Sequence, residues 1–154
     1  MSTFDAKLTE LGLTLPDAPA PAANYIPYVI TGNFVFVSGQ ISIDESGSLI
    51  TGKVGIDLDI EAGAKAAERC ALALLAQVKE ACEGDISRLI RVVKLTGFVN
   101  SGPDFADQPK VINGASDLLA ALLGDAGRHS RSAVSAASLP MNVAVEIEGI
   151  FEIE

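Results

Sequence analysis

The stretch from Asn142 to Ile153, NVAVEIEGIFEI, is the feature that most narrows what this chain can fold into. Val143, Val145, Ile147, Phe151 and Ile153 alternate with Glu146, Glu148 and Glu152, so a strand sends the apolar set to one face and the carboxylates to the other. Such a strand needs neighbours on both edges and a layer of helices over its apolar face. The architecture is therefore a sheet with helices on one side.

The other segments supply both layers. Tyr25 to Ile30 and Phe34 to Ile43 read as strands joined by the Gly-containing turn Thr31-Gly32-Asn33, and Asp44-Glu45-Ser46-Gly47 turns the chain again. From Ile60 to Cys82, the residues Ala67, Ala71, Leu74, Val78 and Cys82 keep helical spacing, with Gly84 as the stop. Arg88 to Asn100 is rich in β-branched residues and apolar on both faces, which suits a strand inside the sheet. Pro109 opens a second helix whose buried stripe is Val111, Ala115, Leu118, Leu119 and Leu122, ended by Gly124. Two more strands follow, Arg131 to Ser138 and Asn142 to Ile153. The expected class is α+β: a mixed β-sheet with two main helices packed on one face.

Ahead of this unit, Phe4, Leu8 and Leu11 mark a short amphipathic helix over Ser2 to Gly12, and LPDAPAPAAN forms an extended linker. We expect residues 1–20 to be an N-terminal helix and Pro/Ala linker, and residues 21–154 to be a single domain.

Composition adds a constraint on assembly. Apolar residues make up 49% of the chain and charged ones 20%, an excess that one small domain has difficulty hiding from water. Two helices cover one face only, so the apolar positions on the other face call for a partner chain. A net charge of −9 without a run of Lys or Arg argues against nucleic acid, and no apolar stretch approaches the roughly 20 residues of a membrane span. The N-terminus MSTFDAKLTELG is charged and amphipathic, so no signal peptide is expected. Cys70 and Cys82 lie about 18 Å apart along one helix, too far to bridge, and read as core filler in a reduced, cytoplasmic setting.

Few residues offer chemistry. No phosphate-cradling loop and no Gly-x-Ser-x-Gly elbow is present, and His129 with two distant cysteines is a poor metal set, so neither metal nor cofactor is expected. His129, next to Arg128 at a loop end, reads as a solvated residue. Arg131 opens a strand of small residues that leaves room beside it: it is either a strand-end arginine in water or a planar fork for a carboxylate. Glu146 is either an ordinary outward polar residue or, with its face closed by another subunit, a desolvated carboxyl able to move protons near neutrality.

Several strings together carry a resemblance: PAANYIPYVITGNFVFVSGQ, VVKLTGFVN, VING and RSAVSAASLPMNVAVEIEGIFEI. From about Pro21 to Ile153 the chain resembles the RidA/YjgF family, most specifically in the C-terminal string. The resemblance implies a chorismate-mutase-like fold, a homotrimer with pockets between subunits, and no cofactor. The activity it implies is hydrolysis of reactive enamines and imines of the 2-aminoacrylate type to 2-keto acids and ammonia, a 2-iminobutanoate/2-iminopropanoate deaminase-type hydrolase. A non-catalytic trimer that binds small carboxylates is the alternative, followed by the endoribonuclease (L-PSP) or translation initiation inhibitor of the older family labels.

By the same resemblance, Arg131 grips the substrate carboxylate and Glu146 positions the attacking water, while Tyr25, Ser38 and Asn113 line the pocket. Tyr28 competes with Tyr25 for the tyrosine position after a three-residue shift. Three features depart from the commonest pattern: the extension through Ala20, Ala133 in place of a frequent cysteine, and the loop GDAGRHS in place of a proline-containing one. They place the chain in a longer subgroup.

Overall fold

A computed structural model describes residues 2–20 and 23–154. Helix α1 spans Thr3–Glu10, and strands β1 (Tyr28–Thr31) and β2 (Phe34–Ile41) form a hairpin. Helix α2 (Ile60–Ala81), strand β3 (Leu89–Asn100), helix α3 (Gln108–Leu123), strand β4 (Ser130–Ala136) and strand β5 (Val145–Ile153) complete the order. One five-stranded sheet runs β1-β2-β5-β3-β4. Strand β5 is antiparallel to both β2 and β3, and β4 joins β3 in parallel. The mixed sheet is thus built from two crossovers: α2 carries the chain from β2 to β3 and α3 from β3 to β4, leaving a slot that β5 fills last.

The alternation along β5 sets the layers. Val145, Ile147, Phe151 and Ile153 are buried against the helices, while Glu146, Glu148, Ile150 and Glu152 turn to the open face. Helix α2 begins where Asp59 caps it by accepting from the Ala62 N–H at 2.8 Å, and its buried stripe includes Ala67, Cys70, Ala71, Leu74, Leu75 and Val78. Both cysteines are free and buried, and burial pushes the Cys70 thiol far above its ordinary range. The helices α2 and α3 cross closely because Gly114 has no side chain: a Cβ there would overlap the carbonyl oxygen of Ala64. Gly97 in β3 likewise makes room for Ile112, whose Cδ1 would lie 2.5 Å from an added Cβ.

The N-terminal segment belongs to the same core. Phe4 and Leu8 of α1 are buried in the main cluster, and the linker is tied down where Gln77 Nε2 donates to the Pro19 carbonyl at 2.7 Å. No helix among the described residues is long and apolar enough to cross a membrane.

Several boundaries differ from the sequence reading. The first strand begins at Tyr28, not Tyr25, because Pro27 has no N–H to give the ladder; its carbonyl still accepts from Ser38 N at 2.9 Å. A register shift between Val37 and Gln40 bends β2, which ends at Ile41 rather than Ile43. The final strand starts at Val145 rather than Asn142, since Met141 and Asn142 adopt left-handed φ values of 56° and 57°. The strand expected to be covered on both faces, β3, is interior to the sheet but helix-covered on one face only, with Ile90 42% exposed.

Candidate active site

Glu146 stands near the start of β5 on the open face, paired in register with Ile41 of β2 and Phe98 of β3. It lines a cavity of about 750 Å³ together with Tyr25, Ser38, Gly39, Gln40, Pro140 and Met141. The carboxyl is half-buried, and burial, followed by the nearby charge of Glu148, raises its pKa above the ordinary carboxylate value. No Lys or Arg is among the described residues lining this cavity.

The walls are held by backbone contacts. Ser38 Oγ donates to the Ile26 carbonyl at 2.9 Å, which fixes the segment that brings Tyr25 to the rim. Tyr28 points elsewhere and packs against the hydrophobic core, so of the two tyrosines it is Tyr25 that reaches the cavity. Gly39 leaves room for Glu146: a Cβ at that position would lie 2.5 Å from Oε2 and 3.0 Å from Cδ. The sequence reading missed this glycine, although an isolated Gly inside a strand signals a bulge or a close approach. On the opposite side, the left-handed pair Met141 and Asn142 sets Met141 against the cavity. Buried Asn100 clamps that turn, its Nδ2 donating to Asn142 Oδ1 at 3.2 Å and to the Val143 carbonyl at 3.0 Å. Lys53 Nζ donates to Asn100 Oδ1 at 2.8 Å and also to the Ala137 carbonyl.

Arg131 lies on the other side of the sheet. It is in register with Leu95, whose side chain is buried under the helices, so its guanidinium reaches α3. There Nη1 donates to Ser116 Oγ at 3.0 Å and Nη2 to the Pro109 carbonyl at 3.2 Å. Asn113, exposed on α3 between those two contacts, shares the same helix face by its spacing. None of the ion pairs among the described residues involves Arg131, and two hydrogen bonds leave three of its five N–H donors free.

The five expected site residues therefore fall into two groups within one chain. Glu146, Tyr25 and Ser38 share the open-face cavity, whereas Arg131 and Asn113 share the rim between β4 and α3. His129 is not the solvated residue expected. It is half-buried, with Nδ1 2.6 Å from the Gly127 carbonyl and Nε2 2.9 Å from Ser116 Oγ. Burial, with the Arg131 charge acting in the same direction, lowers its pKa, and the Gly127 bond opposes them. Among the described residues, no group of three His, Cys, Asp or Glu side chains could hold a metal ion.

Sequence comparison identifies the lineage of this arrangement. The family described as "YjgF/chorismate mutase-like, putative endoribonuclease" matches residues 5–152. The chain belongs to the RidA/YjgF family. The chain is 46% identical over 149 residues to Protein TCP17 of Trypanosoma cruzi, covering 96% of this chain and 92% of that one. It is 27% identical over 143 residues to a Dermatophagoides farinae protein named 2-iminobutanoate/2-iminopropanoate deaminase, covering 92% and 95%. Its fold matches the crystal structure of protein Atu1372 from Agrobacterium tumefaciens with a TM-score of 0.92 at 51% identity, over 99% of this chain and 93% of that one. That match takes in the N-terminal helix and linker of this chain.

Proposed function

We propose that this chain hydrolyses small imino acids, and the enamines that tautomerise to them, to 2-keto acids and ammonia, at sites completed between copies of the chain. The observation that carries the reading is a half-buried Glu146 carboxyl in a cavity with no cation of its own, alongside an Arg131 guanidinium with unused donors and no acid partner. Each group lacks what the other offers, and they lie on opposite faces of one sheet.

A second copy resolves the mismatch. On the face of Glu146, Val29, Phe34, Phe36 and Val134 are 42–48% exposed, an apolar surface that burial against another copy removes from water. A homotrimer with one site per interface sets the Glu146 cavity of one protomer against the Arg131 rim of the next. Arg131 then binds the substrate carboxylate through a charge-assisted fork, with Asn113 beside it, while Tyr25 and Ser38 line the acid–base side.

The chemistry follows from Glu146. It takes a proton from water as the oxygen bonds to the carbon of the protonated imine, C=NH2+, whose C=N electron pair moves to nitrogen and leaves it a neutral amine. The carbinolamine nitrogen then takes the proton that Glu146 had gained, the C–N bond breaks as ammonia departs, and the hydroxyl releases its proton to solvent as the C=O of the ketone forms. One carboxyl serves as base and then acid, and a pKa raised toward neutrality suits it to both roles. Support for this reaction class also comes from the Dermatophagoides relative's name.

The test is a coupled assay in which a pyridoxal-phosphate enzyme generates imines and keto-acid formation is followed. Arg131→Ala is expected to abolish the acceleration, and Glu146→Gln to slow turnover by about 10²–10⁴-fold with less effect on acid binding. Wild-type protein that binds short keto acids but accelerates nothing would make the chain a carboxylate-binding module instead.

A further inference from the structure

The loop after α3 contains a directional hydrogen-bond chain, and the proposed chemistry makes no use of it. A carbonyl oxygen only accepts, so the 2.6 Å contact between His129 Nδ1 and the Gly127 carbonyl puts the ring proton on Nδ1. With that proton placed, Nε2 of the neutral ring accepts, and the 2.9 Å contact makes the Ser116 hydroxyl its donor. A guanidinium only donates, so Ser116 Oγ accepts from Arg131 Nη1 at 3.0 Å. Each link has one possible sense, and together they run from Arg131 through Ser116 and His129 to the Gly127 backbone.

Other contacts make this chain rigid. A Cβ at Gly127 would overlap the carbonyl oxygen of Leu119, so the loop carrying His129 is seated directly on α3. Arg91 Nη2 donates to the Arg128 carbonyl at 2.6 Å and ties the same loop to β3. The second arm of Arg131 is fixed independently by the Pro109 carbonyl, two turns away on the same face of α3.

We infer that Ser116 and His129 are positioning residues for Arg131, holding its guanidinium so that the unused N–H edge presents to the substrate acid. The inference rests on the reading that Arg131 recognises that acid. A free arginine side chain must give up rotamer freedom on binding, and a guanidinium already held at both Nη atoms has given up most of it beforehand. Ser116 and His129 touch neither the acid nor the reacting carbon. Their removal therefore weakens acid binding while leaving the chemical step in place.

The experiment uses the intact oligomer and two readouts. His129 is the chain's single histidine, so its ring nitrogens give unambiguous signals in ¹⁵N nuclear magnetic resonance. The expected spectrum near neutral pH has the proton on Nδ1, with an Nε2 signal that shifts in Ser116→Ala; a ring protonated on Nε2 would overturn the chain as drawn. The second readout is calorimetric binding of pyruvate. Ser116→Ala and His129→Leu are expected to weaken it roughly three- to tenfold, the effect of one hydrogen bond. In the imine assay the same loss is expected in KM, with kcat within about twofold. His129→Gln, whose side-chain oxygen can still accept from Ser116, is expected to restore most of the affinity, which a general packing defect would not allow. If Ser116→Ala and His129→Leu bind pyruvate as the wild type does while Arg131→Ala does not, the positioning role is refuted and acid recognition by Arg131 stands. If Arg131→Ala also binds normally, both fall together.

Discussion

Replacing Gly39 by alanine separates catalysis from stability at a single atom. The added Cβ would stand 2.5 Å from Oε2 of Glu146, 3.0 Å from Cδ and 3.1 Å from Cγ, against an ordinary contact of about 3.5–4 Å between nonbonded carbons. The carboxyl must retreat by roughly 1 Å. A displacement of that size at a reacting group lowers turnover about 10²-fold. The fold is barely affected, because Gly39 is not at a positive φ and the neighbour that moves is the end of a flexible side chain. Alanine there gains about 0.4–1 kcal/mol by restricting the unfolded chain, and forcing Glu146 off its rotamer costs about 0.5–1.5 kcal/mol, so the net change stays within about 1 kcal/mol. Denaturant unfolding and the imine assay on the same preparation measure the two effects. Gly39→Ala with wild-type turnover would show that the position of the Glu146 carboxyl does not matter to the reaction.

Two other perturbations address the frame and the carboxyl itself. Gly114→Ala overlaps the Ala64 carbonyl and must push α2 and α3 apart; about 3 kcal/mol of overpacking less about 1 kcal/mol of better helix propensity gives a net loss of about 2 kcal/mol, to be read by denaturant unfolding. Glu146 has a folded-state pKa above its ordinary value of 4.5, so the folded chain holds this proton more tightly than the unfolded one. Its contribution to stability is complete below about pH 4.5 and is lost as pH rises through the raised value. Glu146→Gln removes that term: the variant is expected to be more stable than wild type at pH 7, by a margin that shrinks toward pH 4.5, as thermal unfolding across pH can check.

Periodicity made the helices readable, since α2 and α3 each place an apolar residue on the core at every turn and have Asp59, Pro109 and Gly124 at their ends. Strand ends were harder. Their limits depend on Pro27, on the bulge near Ser38 and on the left-handed Met141 and Asn142, whose conformation is imposed by Asn100 across the fold. Glu146 could be assigned to the open face because its strand alternates cleanly. Arg131 could not be assigned to a face, because Ser132, Ala133, Ser135 and Ala136 are small on both sides of β4 and only the register with Leu95 decides which way it turns. His129 carried no local signal, since its partner Ser116 lies thirteen residues back on a separate helix and becomes a neighbour only through tertiary packing.

Subunit complementation tests most directly the claim that one reaction centre draws on two copies of the chain. Arg131→Ala and Glu146→Gln protomers carrying different tags are co-expressed, and trimers containing both are isolated. In a cyclic trimer every mixed assembly has one interface of three in which an intact Arg131 meets an intact Glu146, so the isolated mixed trimers regain about a third of the native sites. Imine hydrolysis well above that of either parent is the expected result. Mixed trimers as inactive as their parents would contradict the account, placing both residues in a site contained within a single chain or outside the chemistry altogether.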